Sequence, residues 1–339
     1  MDKPNKRIIQ AVAGSGKTTY LIDLLEDNDI PVAIITFTVV NHQILNDKVR
    51  EKFGGRIPDN IHIFTLFQFL YSFCVTPYLS EPPKGLNFDR VDYYNSAYQD
   101  NSGRFYKDRL SKYILDSSHN IPYLSRISRY FAKVYIDEVQ DLTAYDLDWL
   151  LSLTKCRADI LCVGDFFQKT FQSSNAGNKN KKVNSDFIEY KNKFSGASFE
   201  IDETTLRKSW RCSEETCAFV REKLGITIES ANPKDSQNPF LIEDKNEISR
   251  IWNDSTIPKL FYWKNYEFDC NNSMNWGESK GSTFPEVCVI LNSTTMKMLK
   301  NDDWSNIASQ TKSKFYVALT RARGQVYFID QEKIKQYKK

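Results

Sequence analysis

Residues 11–18 read AVAGSGKT, and this octapeptide is the strongest indication of the class of fold. It fits the phosphate-loop pattern, with Ala11 standing where the first glycine is usual. The short apolar stretch Arg7–Val12 leads into it and predicts a strand, and the helical spacing of Thr18–Leu25 follows it. In such a loop the backbone N–H groups cradle phosphate oxygens at the start of a helix. A plain glycine turn between a strand and a helix is the alternative interpretation.

The loop supplies predicted contacts for a nucleotide and for its metal ion. The Lys17 side chain is predicted to reach the β- and γ-phosphates, and the Thr18 hydroxyl is predicted to bind Mg²⁺. The predicted nucleotide-binding residues are Ala13, Gly14, Ser15, Gly16, Lys17, Thr18 and Thr19.

Two acidic residues follow a second apolar run, Val134–Ile136. Asp137 is predicted to hold Mg²⁺, and Glu138 is predicted to polarise the attacking water. A strand that ends in solvated surface acids is the alternative. Because the pair occurs together with the phosphate loop, it predicts a nucleotide-hydrolysis site. Gln168 follows a third buried run, Ile160–Val163, and is predicted to sense the γ-phosphate.

Apolar strands and amphipathic helices alternate along the first half of the chain. Val32–Phe37 is a continuous apolar run, Asn41–Phe53 has helical spacing, and Ile61–Thr65 predicts another strand. This alternation predicts an α/β fold with a mostly parallel sheet. The segment 78–125 interrupts the pattern with prolines, a glycine and many tyrosines, and it is predicted to be an insertion into the first domain.

Length and composition limit the possible classes of protein. At about 150 residues per domain, 339 residues predict two domains. The sequence has no apolar run of about 18 residues and no signal-like N-terminus, which predicts a cytoplasmic protein that does not contact a membrane. The seven cysteines are scattered, and the presence of only three histidines argues against a histidine-rich metal site. The net charge of +3 is too small to identify a nucleic-acid-binding protein by itself.

The order of the motifs along the chain resembles that of superfamily 1 helicases of the UvrD/Rep type. The glycine loop is followed by DEVQD at 137–141 and by VGDFFQ at 163–168. Of the remaining segments, the TRAR sequence at 320–323 is the most specific. The other similar segments are Ile35–Thr38 with Asn41, Ile63–Phe67, Leu206–Arg211, Lys280–Leu291 and Tyr316–Arg323.

This resemblance implies two RecA-like P-loop NTPase domains, with parallel sheets flanked by helices. The first, domain 1A, would cover 1–180 with a small insertion at about 78–125, and the second, domain 2A, would cover 181–339. ATP and Mg²⁺ are the implied cofactors. The implied catalytic residues are Lys17, Glu138, Gln168, Arg211 and Arg321, of which the two arginines are candidate arginine fingers.

The resemblance also implies that single-stranded DNA is the partner. The segments of relatives that contact DNA match this sequence at Thr38, Asn41, Thr65 and Phe67. Such a groove needs backbone-binding charge and stacking aromatic rings. DNA and RNA are not distinguished by these motifs.

Several features depart from the full-size relatives. The upstream glutamine that contacts adenine has no counterpart in the ten residues before the loop, and Thr283 replaces a ribose-contacting glutamate. The insertion at 78–125 corresponds to a reduced 1B domain, and the stretch 212–279 is too short for a full 2B domain.

This reduced size is similar to that of small UvrD-like subunits found beside OLD-type nucleases in anti-phage systems such as Gabija. It predicts either a minimal translocase or an ATP-hydrolysing regulatory switch that controls a nuclease. A GTPase is disfavoured because the N/T-K-x-D base-reading motif is not found at a plausible place, and a small-molecule kinase would not explain the paired downstream arginines.

Overall fold

The computed structural model describes residues 4–89, 91–92, 96–170, 173–174, 179–231 and 237–339. Contacts divide the chain into two compact units. The first consists of Met1–Gln10, Lys17–Gly164 and Phe171–Thr205, and the second of Ala11–Gly16, Asp165–Thr170 and Leu206–Lys339. Each unit is made of three separate segments of the chain. The predicted domain limits at 1–180 and 181–339 stay a prediction.

The first unit is built on a six-stranded parallel sheet in the order β3-β2-β6-β7-β1-β8. A separate parallel pair, β4 with β5, lies in the predicted insertion. The strands are β1 (Lys6–Gln10), β2 (Val32–Thr36), β3 (Ile61–Thr65), β4 (Leu86–Asn87), β5 (Phe105–Tyr106), β6 (Lys133–Ile136), β7 (Asp159–Gly164) and β8 (Glu200–Asp202).

Helices connect the strands of the first unit. All five residues of β2 are buried, as expected for a central strand of a parallel sheet covered on both faces. The helices are α1 (Lys17–Asp23), α2 (Val39–Lys52), α3 (Leu66–Gln68), α4 (Lys107–Asp116), α5 (Tyr123–Tyr130), α6 (Ala144–Ser152) and α7 (Phe187–Gly196), with a π-helix at Phe69–Val75 and 3-10 turns at Thr76–Tyr78, Val139–Asp141 and Leu153–Lys155.

The second unit contains a five-stranded parallel sheet in the order β11-β15-β14-β12-β13, and β9 pairs with β10 beside it. Its strands are β9 (Lys208–Ser209), β10 (Glu229–Ser230), β11 (Phe240–Leu241), β12 (Lys259–Phe261), β13 (Ser273–Asn275), β14 (Val287–Leu291) and β15 (Val326–Asp330). Its helices are α8 (Glu214–Leu224), α9 (Lys245–Asn253), α10 (Ser293–Asn301) and α11 (Ser309–Leu319), with 3-10 turns at Phe166–Gln168, Asn265–Glu267 and Gln331–Tyr337.

The core of the second unit has two parts. Aromatic and aliphatic side chains of β14, β15, α8 and α11, together with Trp276, form the larger cluster, in which Trp276, Phe315 and Phe328 are fully buried. The smaller cluster includes Ile251 and Ile290. The predicted α/β fold with parallel sheets flanked by helices is confirmed. In the described part of the chain no helix is long and apolar enough to cross a membrane.

Candidate nucleotide site

Four of the predicted site residues meet at one edge of the sheet in the first unit. Asp137 and Glu138 directly follow β6, and Lys17 and Thr18 begin α1. The Thr18 hydroxyl donates to Asp137 Oδ2 at 3.2 Å, and Lys17 Nζ lies 3.9 Å from Glu138 Oε1. The Lys17 and Glu138 side chains are 11% and 15% exposed. One cation, one hydroxyl and two carboxylates therefore share a nearly enclosed site.

Asp137 is buried, and the charged groups of Glu138 and Lys17 lie close to its carboxylate. Burial, followed by the neighbouring Glu138 carboxylate, raises the pKa of Asp137 to about 6, while Lys17 and the hydrogen bond from Thr18 act in the opposite direction. A divalent cation beside this carboxylate would favour its ionised form. The residues present thus fit Mg²⁺, with Asp137 and Thr18 as the groups that would hold it.

The backbone of Glu138 is in the left-handed region, with φ of 55°. This conformation costs a side-chain-bearing residue about 1–2 kcal/mol and is concentrated at functional sites. It places the Glu138 carboxylate where Gln140 Nε2 donates to Oε2. The turn that follows, Val139–Asp141, is a 3-10 helix.

Gln140 is a site residue to which the sequence motifs assign no role. Its side chain is buried and contacts the end of β7. A Cβ atom built on Gly164 would lie 2.5 Å from Gln140 Oε1 and 2.6 Å from Val139 Cγ1. A side chain at position 164 would therefore force Val139 and the Gln140 amide, which holds Glu138, to shift.

The phosphate loop, Ala11–Gly16, belongs to the second unit by its contacts. Gly14 and Gly16 have positive φ values of 73° and 82°. A Cβ atom on Gly14 would lie 2.7 Å from Arg211 Cβ and 2.8 Å from Ser209 Oγ, so this position requires glycine for both its conformation and its close packing. The Ser15 hydroxyl is buried and has no hydrogen-bond partner among the described residues. An unsatisfied donor in a glycine loop fits a phosphate oxygen.

A tyrosine joins this loop to the segment that carries Gln168. Ala13 N–H donates to the Tyr316 hydroxyl at 2.9 Å, and that hydroxyl donates to Asp165 Oδ2 at 3.1 Å. Asp165 Oδ1 in turn accepts from Phe167 N–H, which starts the turn Phe166–Gln168. Tyr316 lies in α11 and is fully buried, and burial raises its pKa well above the ordinary value, so the hydroxyl stays a donor. The Tyr316 hydroxyl therefore connects three segments by hydrogen bonds: the phosphate loop, the VGDFFQ segment at 163–168 and α11.

The Tyr316→Phe variant is expected to lose stability while keeping the buried ring. Without the hydroxyl, Ala13 N–H and the Asp165 carboxylate each lose one hydrogen-bond partner, which lowers the free energy of unfolding by about 1–3 kcal/mol. Thermal or denaturant unfolding of the wild type and the variant measures this difference. The Tyr337→Phe variant is the matched control, because Tyr337 is also a ring packed in the second unit, 4.5 Å from Trp252. Equal unfolding midpoints for Tyr316→Phe and wild type would contradict the bridging role.

The two candidate arginine fingers have different environments in the second unit. Arg211 is partly buried and its Nη1 donates to the Thr320 carbonyl at 2.9 Å. Arg321 is fully buried, and its donors reach the Val317 carbonyl at 2.8 Å and the Ser282 carbonyl at 3.3 Å. Burial, followed by the charge of Arg211, lowers the pKa of Arg321 to about 9. Their roles as fingers, like the γ-phosphate contact of the buried Gln168, stay predictions.

The predicted nucleic-acid residues lie in the first unit, where two of them have a structural role. The Thr38 hydroxyl accepts from Asn41 N–H at 3.1 Å and caps α2. The Thr65 hydroxyl accepts from Gln68 N–H at 3.3 Å, and the Gln68 side chain completes a capping box. Phe67 is partly exposed. A DNA contact at any of these residues stays a prediction.

Thr19, the last of the residues predicted to bind the nucleotide, lies in α1. It is exposed, and its hydroxyl accepts from Lys48 Nζ at 3.3 Å. The hydroxyl is thus already engaged, and the predicted contact of Thr19 with the nucleotide stays a prediction.

The chain contains a superfamily 1 helicase core domain. Residues 122–330 match the family model described as the viral superfamily 1 RNA helicase core domain, and since this is more than half of the chain, the chain belongs to that family. The matched residues include Asp137, Glu138 and Arg321, whereas the phosphate loop precedes them. No curated protein matches the chain.

Solved structures of arterivirus nonstructural protein 10, a helicase, are similar to this chain. The crystal structure has 13% sequence identity and a TM-score of 0.52, and the alignment covers 98% of this chain and 62% of that one. The complex of the same helicase with DNA has 14% identity and a TM-score of 0.52, covering 96% and 61%. At this identity the likeness shows the fold, and the chain spans about three fifths of the length of those proteins.

Proposed function

We propose that this protein is a nucleotide-hydrolysing motor of superfamily 1 that acts on single-stranded nucleic acid. The observation that carries the proposal is the approach of Lys17 to Glu138 and of Thr18 to Asp137 in a chain of the helicase core family. A strand end with solvated acids does not explain this arrangement, because Asp137 is buried and Glu138 has a strained backbone.

Each residue of the site has a separate role in the proposed reaction. Lys17 binds the β- and γ-phosphates, and Glu138 orients the attacking water and accepts its proton at the carboxylate. Gln140 fixes the direction of the Glu138 carboxylate. Mg²⁺, when bound by Asp137 and Thr18, would supply positive charge to the phosphate oxygens.

The finer proposal is that the nucleotide is ATP and that the chain works as UvrD/Rep-type motors do. Gln168, Arg211 and Arg321 would then act on the γ-phosphate, and the partner would be single-stranded DNA. The matched family is named for RNA helicases, which makes single-stranded RNA the alternative partner. The nucleotide base and the type of nucleic acid are separate questions for experiment.

The experiment that tests the proposal is the rate of nucleotide hydrolysis by the pure protein. The four common ribonucleoside triphosphates are compared with Mg²⁺, each with no nucleic acid, with oligo-dT and with oligo-U. We expect hydrolysis that rises on addition of one or both single strands. A measurable basal rate that neither strand changes would reject the motor, and no hydrolysis of any triphosphate would reject the site.

A second candidate is a nucleotide-hydrolysing switch subunit that controls a nuclease partner, as in anti-phage systems. The observation that favours it is that the stretch 212–279 folds as part of the second unit. Its described residues supply α8, α9 and the strands β10 to β13, and most of these elements belong to the sheet and core of the second unit itself. Among those described residues, no separate subdomain is left to engage a duplex.

We therefore expect weak or no unwinding by the isolated protein. Separating each base-pair step costs about 1.4 kcal/mol, and full-size relatives engage the duplex ahead of the motor with their insertions. Strand displacement from a tailed duplex, measured under conditions in which a single strand stimulates hydrolysis, provides the test. Robust multi-turnover unwinding by the chain alone would contradict the switch.

A further inference from the structure

Three phenylalanine rings and a lysine form one cluster on the first unit. The centroids of Phe37 and Phe67 are 6.0 Å apart, and those of Phe67 and Phe88 are 6.1 Å apart, both in edge-on geometry. Lys107 Nζ lies over the Phe67 ring, 6.0 Å from its centroid. We call these four residues the Phe88 cluster.

The cluster combines two strand ends of the sheet with the insertion. Phe37 comes directly after β2, and Phe67 lies in α3 directly after β3. These strands are parallel neighbours, so both rings extend from the same edge of the sheet. Asp137 follows β6, the other neighbour of β2, and lies at that edge too. Phe88 follows β4, and Lys107 begins α4, so the insertion supplies the remaining two residues.

The exposure of Phe88 distinguishes this cluster from a hydrophobic core. The residue is 62% exposed, although its ring makes an edge-on contact with Phe67. Phe37 and Phe67 are partly exposed, and the two residues that open α2, Val39 and Val40, are exposed as well. An exposed ring that stands perpendicular to its neighbour keeps a free face on which another flat group can stack.

We propose that the Phe88 cluster is a base-stacking surface for single-stranded nucleic acid, with Phe88 as its outermost ring. This inference rests on the proposed function and deepens it, because it assigns part of the nucleic-acid site to the insertion. Every base has a stacking face, so exposed aromatic rings bind single strands regardless of sequence. Lys107 Nζ lies 3.9 Å from the buried Asp108 carboxylate, and its partly exposed ammonium provides a positive charge beside the Phe67 ring for a phosphate group.

The same surface could be considered for a protein partner, but its chemistry favours nucleic acid. The cluster lies at the sheet edge that carries the candidate nucleotide site of this unit, where a motor must couple hydrolysis to its track. The insertion itself is already anchored, since the Ser111 hydroxyl of α4 donates to Asp146 Oδ1 of α6 at 2.6 Å. Phe88 itself directly follows β4, which pairs with β5 at Leu86–Phe105 and Asn87–Tyr106, and β5 leads into the anchored α4. This limits the freedom of the segment that carries the ring, which reduces the entropy lost on binding.

The test compares three substitutions of Phe88 in the full chain. Binding of oligo-dT and oligo-U that carry a single 2-aminopurine is measured by anisotropy and by quenching of the base fluorescence. We expect Phe88→Ala and Phe88→Leu to weaken binding about tenfold and to reduce quenching, and Phe88→Trp to preserve both. The control is Tyr130→Ala, which removes a ring that is 45% exposed on α5 and is expected to bind as wild type does.

The three substitutions distinguish ring stacking from a plain apolar contact. If Phe88→Leu binds as well as wild type, the side chain acts only as an apolar contact, as it would for a protein partner, and the inference is overturned. Unchanged binding by Phe88→Ala overturns it as well. If the wild-type protein binds neither oligonucleotide, the proposed function itself fails, so the two failures are distinguishable.

Discussion

Replacing Lys17 by alanine is expected to lower the rate of nucleotide hydrolysis by at least about 10²–10³-fold, the effect of removing one preorganised donor that stabilises transition-state charge. Lys17 Nζ is the cation 3.9 Å from Glu138, and it also lowers the pKa of the buried Asp137. Without the Lys17 ammonium, the carboxylates of Asp137 and Glu138 would repel the negatively charged phosphates of a bound nucleotide more strongly. Steady-state hydrolysis at saturating nucleotide, together with nucleotide affinity, measures the loss.

The matched control for Lys17 is another ion-paired lysine of the same unit. Lys191 Nζ lies 3.0 Å from Glu203 on the surface, where such pairs contribute about 0–1 kcal/mol to stability. We expect Lys191→Ala to hydrolyse nucleotide as wild type does. A Lys17→Ala variant that is folded and keeps most of the wild-type rate would place the phosphate contact elsewhere.

The parts of the fold that can be predicted from the sequence are those with a strong local signal. The continuous apolar run of β2 and the glycine loop before α1 each identify their element without tertiary information. The strands β12 and β13 have no such signal. β12 reads Lys-Leu-Phe and β13 reads Ser-Met-Asn, and three residues of mixed polarity carry no period. The pairing of β12 with β14 and with β13 forms them as strands.

The residues of the candidate site also differ in how well the sequence identifies them. Lys17, Thr18, Asp137 and Glu138 belong to short motifs, so their types and spacing identify them. Tyr316 cannot be assigned a role from the sequence, because its partner Ala13 is remote in the chain and a tyrosine in a helix otherwise indicates packing.

Thr65, by contrast, has a local signal for a structural role beside its predicted contact with DNA. It stands three positions before Gln68, and this spacing is typical of a capping box. The structure contains the box, in which the hydroxyl accepts the Gln68 N–H. A hydroxyl that already caps a helix has fewer lone pairs available for a nucleic acid, so of the two predicted contacts we expect a stacking contact at Phe67 more than a hydrogen bond at Thr65.

Replacing Glu138 by glutamine is expected to separate nucleotide binding from hydrolysis. The amide keeps the size of the carboxylate and its contact with Gln140, but it cannot accept a proton from water, so the rate falls by about 10²–10⁴-fold. Nucleotide affinity is expected to be retained, because Asp137 and Thr18 are unchanged. Asp137→Asn is the comparison: it removes the charge that would hold Mg²⁺ and should weaken Mg²⁺-dependent binding itself. Loss of binding in Glu138→Gln would mean that Glu138 maintains the structure of the site and does not act on water.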